Sequence, residues 1–312
     1  MSEFDKIQNL LSTKAELQSR LKLIPYDGSV EIKESSGKEY IYIRRREAGK
    51  RTSEYVGPYS DKLYQLLLNN VREARTIKKQ LRQIEKELAN LGYVSDELSP
   101  QIILNLEFAR VNMKSIIYDQ AILEGCSATF PDTETILENG KVNNVNAEDV
   151  QKILNLKHAW EFVLDKDVIQ SPSNYYVSQY IARLVNEGFY QDGGRIRGVP
   201  VTIGGSTYIP PLPIEFNVKE KINELINSKN EPIDIAIELA LYVMKTQIFN
   251  DGNKRTAIIF ANHYLIAHGG GLLVVPEKLV SDFRKLLVKY YEDMDLESIK
   301  VFMKEKCWKK LN

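Results

Sequence analysis

Long apolar runs are absent from this 312-residue chain. No stretch approaches the ~18 consecutive apolar residues that a membrane-crossing helix needs, so no membrane span is expected. Net charge is absent too. The 42 Lys and Arg balance the 42 Asp and Glu, which removes any whole-chain argument for nucleic acid or an acidic membrane surface and leaves only local patches to consider. Cysteine is scarce: Cys126 and Cys307 have no metal-ligand spacing, so no disulfide framework is indicated and a reducing, cytoplasmic setting is the simpler reading. Histidine is limited to His158, His263 and His268. The opening MSEFDKIQNL is polar and acidic and does not read as a signal peptide. What remains is a chain 43% hydrophobic and 27% charged, ordinary for a globular protein and long enough for two domains, or one with an appendage.

The first hundred residues differ from the rest. Ile7, Leu10, Leu17 and Leu21 recur at helical spacing. Leu67, Ala74, Leu81 and Leu88 recur every seven residues, with Leu63, Ile77, Ile84 and Leu91 as a second seam. The pattern predicts helices over about 2–23 and 59–91, paired as an antiparallel coiled coil, and is also compatible with ordinary amphipathic helices. Between them, residues 29–57 read as a three-stranded meander: "EYIYIRRRE" is β-branched and aromatic, with turn signals "SSGK" and "AGKR" on either side. Arg44, Arg45, Arg46, Lys50 and Arg51 make it locally basic, and Tyr40, Tyr42 and Tyr55 interleave with them. That is either a solvated sheet face or a patch for nucleic acid or an acidic partner.

"LGYVSDELSP" carries turn residues and a proline and sets a domain boundary, giving 1–99 and 100–312. Beyond it the chain reads as mainly α. A helix over about 101–124 ends at Gly125, and further helices follow Asn146 and the "SN" at 173–174. "RIRGVPVTIGGSTYIPPLP" interrupts them and reads as a short hairpin closed by prolines. Four more helices complete the chain, one with Pro232 in its first turn.

"QIFNDGNKRTA", Gln247 to Ala257, joins two of these helices. A loop entering a helix N-terminus offers unpaired N–H groups and the positive end of the dipole to an anion. Gly252 would let the backbone approach a ligand, and Lys254 and Arg255 add cations, the second with a fork suited to phosphate. Asp251 is an oxygen ligand fit for Mg²⁺ shared with a phosphate. Taken alone, the run is equally a helix-capping turn with solvated cations.

The run resembles the signature of the Fic/Doc (Fido) family, His-x-Phe-x-Asp/Glu-Gly/Ala-Asn-Gly/Lys-Arg. All of its fixed positions fit here except the first, where Gln247 stands for histidine. Lys254 and the following "RTA" are similar to the Doc-type branch, and Ile258 occupies the place of a second arginine. Upstream, Arg197 and the hairpin resemble the family's flap, and Glu124 with Gly125 resembles the end of its inhibitory helix, although Gln120 stands where Ser or Thr is usual. The resemblance spans about 100–303. It implies a nucleotide such as ATP, with Mg²⁺ on Asp251 and phosphates on Gly252, Asn253, Lys254 and Arg255. Phe249 would anchor the loop, and the flap at Arg197, Val201, Thr202, Ile203 and Gly204 would add a strand to a protein target. Glu124 would hold Arg255 away from the γ-phosphate. The reaction implied is transfer of AMP, or another phosphate-bearing group, to a protein hydroxyl. Pairing into homodimers and toxin–antidote partnerships are further family traits.

Gln247 is the departure that matters. Glutamine can orient a hydroxyl but cannot take its proton, and general-base catalysis contributes typically ~10²–10⁴-fold. Asp251 is assigned to metal, and the three histidines read as structural or exposed. Tyr290 and Tyr291 could stack on a base or belong to the core. Three readings stay open: a slow or unusual transferase, a nucleotide-binding regulator without catalysis, and an interaction protein working through the coiled coil and meander.

Overall fold

The computed structural model describes residues 3–24, 28–47, 50–93, 98–143, 145–190 and 192–311. The chain forms two compact units, Met1–Ser95 and Asp96–Asn312. Among the described residues no helix is long and apolar enough to cross a membrane.

In the first unit, α1 (Glu3–Leu23) and α2 (Asp61–Asn90) pack along an apolar seam. Arg20 pairs with Glu73 at 2.9 Å and Lys14 with Glu85 at 3.7 Å, so the helices run antiparallel. Leu11 and Leu17 meet Ile77, Ile84 and Leu88, each burial stabilising by roughly 1.5–3 kcal/mol. The seam is less regular than the heptads suggest. Val71 is buried in the place that strict repetition gives Asn70, so the steps from Leu67 to Ile77 run four, three and three residues. Ser60 caps α2 by accepting from the Leu63 N–H.

Between the helices lie β1 (Ser29–Ser35), β2 (Lys38–Glu47) and β3 (Lys50–Pro58), an antiparallel sheet in the order β1-β2-β3. Ile41 and Ile43 alternate inward onto Leu67 of α2, as the period of two requires. A bulge between Ile41 and Tyr42 shifts the β2–β3 register. Of the basic run, the Arg44 side chain is exposed. The side chains of Arg45, Arg46, Lys50 and Arg51 lie outside the described residues, as do Ala48 and Gly49.

The second unit is helical: α3 (Pro100–Val111), α4 (Met113–Leu123), α5 (Phe130–Leu137), α6 (Ala147–Val163), the short α7 (Lys166–Ile169), α8 (Tyr175–Val185), α9 (Glu215–Ile226), α10 (Pro232–Thr246), α11 (Asn253–Ala267), α12 (Val280–Tyr291) and α13 (Ser298–Phe302). Helix α11 is buried along nearly its whole length, packed by α10, α8, α6 and α3, and it buries Asn253, Arg255, Thr256, Asn262 and His263 together with its apolar residues. Asn146, Asn174 and Pro232 start their helices as expected.

Two expectations need correction. The single helix over 101–124 is two, because the helix breaks at Asn112, whose side-chain amide donates to the Phe108 carbonyl. The flap makes a turn, with Gly205 at φ +81° and Ser206 N–H bonded to Ile203 C=O, but its arms form no strand ladder. Pro200, Pro210, Pro211 and Pro213 lack N–H donors, and several carbonyls of the arms are taken by Arg197. Among the described residues of this unit the one strand pair is β4 (Leu272–Leu273) with β5 (Trp308–Lys309), which the sequence reading missed.

Candidate functional site

The loop between α10 and α11 is built by hydrogen bonds that the sequence prescribes locally. Helix α10 ends with Gln247 in the left-handed region, φ +49° and ψ +59°. That conformation is costly for a non-glycine residue and persists only where its surroundings over-determine it. Three bonds do so. The Gln247 amide donates to the Met244 carbonyl at 2.6 Å, its Oε1 accepts from Asn253 Nδ2 at 3.1 Å, and its backbone carbonyl accepts from Arg197 Nε at 2.8 Å. Both ends of the Gln247 side chain are therefore engaged within the loop.

Asn253 is the internal brace. Its Oδ1 accepts the Phe249 N–H and its Nδ2 donates to the Phe249 carbonyl, closing the turn, while Phe249 itself is fully buried. Asn186, at the end of α8, braces the loop from outside by donating to the carbonyls of Asp251 and Gly193. Gly252 sits at φ +70°, and a Cβ there would lie 2.9 Å from Asn186 Oδ1 and 3.0 Å from Val185 Cγ2. Within the protein, the close approach that demands glycine is to α8.

Helix α11 starts at Asn253 with no side-chain cap, and its first backbone bond is Thr256 N–H to Gly252 C=O. The N–H groups before it face the loop with the dipole behind them. Arg255 is almost wholly buried. Its guanidinium donates to the Val185 carbonyl at 2.7 Å and to Asp251 Oδ2 at 2.9 Å, but its Nε has no hydrogen-bond partner. Facing that nitrogen, at 3.5 Å, is Glu124 Oε2, and Glu124 Oε1 lies 3.6 Å from Lys254 Nζ. The Glu124 carboxylate, 13% exposed, is held between two cations without hydrogen-bonding to either. Glu124 caps α4 and is followed by Gly125 at φ +82°.

Gln120, one turn earlier, ties α4 to this site. It is buried, its amide donates to the Arg255 carbonyl at 2.9 Å, and its Oε1 accepts from Trp160 Nε1 at 2.9 Å. A Ser or Thr could not reach both partners, which accounts for glutamine at this position. Sequence reasoning missed Asn186, and it saw Gln120 only as a departure from Ser or Thr. Buried amides carry no periodic signal.

Arg197 joins the flap to the loop. Buried without a carboxylate, it donates to the carbonyls of Gln247, Val199 and Pro211 at 2.6–2.8 Å, with longer contacts to Pro210 and Thr246. Its backbone N–H reaches the Ile248 carbonyl, and Ile196 bridges to Phe249. The far arm of the flap is fixed separately. One carboxylate oxygen of Glu292 accepts from Ser206 Oγ, Thr207 N–H and Thr207 Oγ1 at 2.7–3.0 Å. Tyr208 stacks near Tyr291, which is buried and so belongs to the core rather than to an open stacking platform. Val201, Thr202, Ile203 and Gly204 lie on the near arm and the tip, whose N–H groups have no backbone partner among the described residues.

The histidines stand outside this arrangement. His263 is fully buried. The Val168 carbonyl can only accept, so His263 Nε2 carries the proton and Nδ1 accepts from the Ser173 hydroxyl, and burial pushes its pKa down to about 4. His268 is stacked on Tyr264 and bonded to that residue's carbonyl, and His158 lies 3.8 Å from Glu187. Among the described residues no group of three or more His, Cys, Asp or Glu could hold a metal unaided. Asp251 is half exposed and offers one carboxylate, the donor set of a Mg²⁺ ion that draws its remaining ligands from phosphates and water.

Comparison with known proteins agrees with this geometry. Residues 175–265 match the Fic/DOC family, and residues 3–65 match a domain of unknown function (DUF6788). No curated protein matches the chain. Among solved structures, Fic-1 (aa134 - 508) from C. elegans is 18% identical with a TM-score of 0.52, covering 78% of this chain and 73% of that one. A Fic domain containing signaling protein from Bacteroides thetaiotaomicron is 18% identical with a TM-score of 0.53, covering 66% and 80%. A Fic family protein from Desulfovibrio desulfuricans is 16% identical with a TM-score of 0.51, covering 68% and 73%. At these identities the structural likeness speaks for the fold, and the family match falls on the flap, the loop and the helices that hold them. The helical unit that carries residues 175–265 is a Fic/Fido domain.

Proposed function

We propose that this domain binds ATP or a related nucleotide at the N-terminus of α11 and that its transfer of AMP, or another phosphate-bearing group, to a protein hydroxyl is impaired because no general base stands in the loop. The observation that carries the reading is the buried Arg255 Nε, without a hydrogen-bond partner and aimed at the Glu124 carboxylate. An internal carboxylate held between Lys254 and Arg255, both in the first turn of α11, occupies the kind of place that a phosphate would take. In this reading Gly252, Asn253, Lys254 and Arg255 line the phosphate site, Asp251 shares Mg²⁺ with the phosphates, and Phe249 anchors the loop. Mg²⁺ would neutralise phosphate charge there.

Gln247 supports the impairment. Its amide is spent on Met244 and Asn253, and glutamine takes up no proton at neutral pH. The flap supports a protein target. Its near arm leaves N–H groups unpaired, as β-augmentation requires, and the flap and its sequel expose Val199, Ile209, Leu212, Ile214 and Phe216, the last 70% exposed. Arg197 fixes the base of that arm. A nucleotide-binding regulator that performs no transfer is the second reading, favoured by the same engagement of Gln247.

The test is label transfer from ATP tagged on the α-phosphate, with Mg²⁺, alongside direct measurement of nucleotide binding. The unchanged chain, Gln247→His, and Gln247→His with Glu124→Gly are compared. We expect nucleotide binding by all three, tighter once Glu124 is removed, and self-labelling that rises roughly 10²–10⁴-fold when histidine returns. Nucleotide binding without transfer in any variant would favour the regulator. Absence of nucleotide binding even in the double variant would overturn the proposal.

A further inference from the structure

The three-stranded sheet of the first unit sorts its charges by face. Ile41 and Ile43 mark the face packed on α2. By the strand period and the register, that side also receives Glu34, Glu39 and Glu54. Among the residues whose side chains are described, the opposite face receives Lys33, Lys38 and Arg44 and a single acid, Glu31, which pairs with Lys33 at 3.6 Å. Its described cations therefore outnumber its acids, while the described charges of the face on α2 are all acidic.

The same face carries the aromatic residues. Tyr42 lies opposite Tyr55 with ring centroids 5.5 Å apart, and Tyr40 is 6.1 Å from Tyr55. The bulge produces this cluster. Val56 is the extra residue on β3, so Tyr55 turns to the cationic face while Val56 packs toward Leu67. Lys33 sits 4.5 Å over the Tyr42 ring. Tyr55 is 53% exposed, and Arg44, Lys38 and Ser53 are exposed around it.

We propose that this face, Lys33, Lys38, Tyr40, Tyr42, Arg44 and Tyr55, binds single-stranded nucleic acid. The cations track the phosphates, and the exposed tyrosine stacks on a base whatever its sequence. An acidic protein segment would answer the charge but would leave the exposed Tyr55 ring without a role.

The test uses the full chain and a fluorescent oligothymidylate of about 16 nucleotides, followed by anisotropy between about 50 and about 200 mM salt. About three phosphate contacts give a log–log salt slope of about −2. Arg44→Glu with Lys38→Glu should weaken binding at least about tenfold and flatten the slope. Tyr55→Ser should weaken it roughly tenfold with the slope unchanged, and Tyr55→Phe should restore it. Lys229→Glu, on the other unit, is the control and should change nothing. Far-UV circular dichroism checks that each variant keeps its fold. The proposal is overturned if the unchanged chain fails to bind at low salt. It is also overturned if polyglutamate competes as well as the oligonucleotide, or if a duplex binds better and Tyr55→Ser is without effect.

Discussion

Gln247 shows how one side chain can be chemically wrong for a reaction and structurally right for its position. It closes α10 in a left-handed conformation and spends both ends of its amide on the loop. Its carbonyl meanwhile receives the buried Arg197. Replacing it by histidine costs the two side-chain bonds before it restores any basicity. Gly252 is the neighbouring constraint. With φ at +70° and Asn186 about 3 Å from any added Cβ, Gly252→Ala should destabilise the domain by about 1–2 kcal/mol, seen as a lowered denaturant midpoint. An unchanged midpoint would refute that reading of the turn. The sequence made Gly252 conspicuous but could not show its close approach to Val185 and Asn186, which lie far upstream.

The flap is an element held at both ends by different chemistry. Arg197 gathers carbonyls at its base, and Glu292 gathers donors on its far arm. The bonds from Thr207 and Ser206 keep the Glu292 carboxyl below the usual carboxylate range, the Thr207 N–H first among them. A lowered folded pKa contributes stability that is complete above the unfolded value near ~4.3 and disappears as pH falls through the folded one. The latch should therefore hold at neutral pH and release only in strong acid. Glu292→Gln should raise hydrogen exchange of the Thr207 and Tyr208 amides at pH 7 while α11 amides remain protected. Equal exchange in both proteins would show that Tyr208 and Lys245 hold the arm without Glu292. The pairing of strands in this flap was not legible as an absence. Alternating β-branched residues and a Gly-Gly turn announce a hairpin, but prolines and a buried arginine remove the donors and acceptors that its ladder needs.

At the scale of the whole helical domain, α11 is the axis on which the site depends, and His263 near its centre makes that axis sensitive to acid. The neutral imidazole is wholly enclosed, with its pKa pushed down to about 4. Unfolding frees it to take a proton at its ordinary value near ~6.5, so stability is full above that pH and falls progressively down to about 4. The loss amounts to roughly 3 kcal/mol across the window. Thermal unfolding midpoints should be level above about pH 6.5 and drop by several degrees by about pH 5. A midpoint that stays constant from pH 7 to 5 would contradict this burial.

Sequence alone determined the elements and the family of the domain. The helix pair, the meander and the Asp251–Arg255 run follow from period, turn residues and motif spacing, all of which act within a few residues along the chain. Tertiary structure decided the partners: Asn186 bracing the loop, Gln120 holding the Arg255 carbonyl, and Glu292 on the flap. Each of these is a polar group paired across a long separation in sequence. Such pairs form because burial penalises an unmet hydrogen bond, and no local pattern records which distant group will meet it.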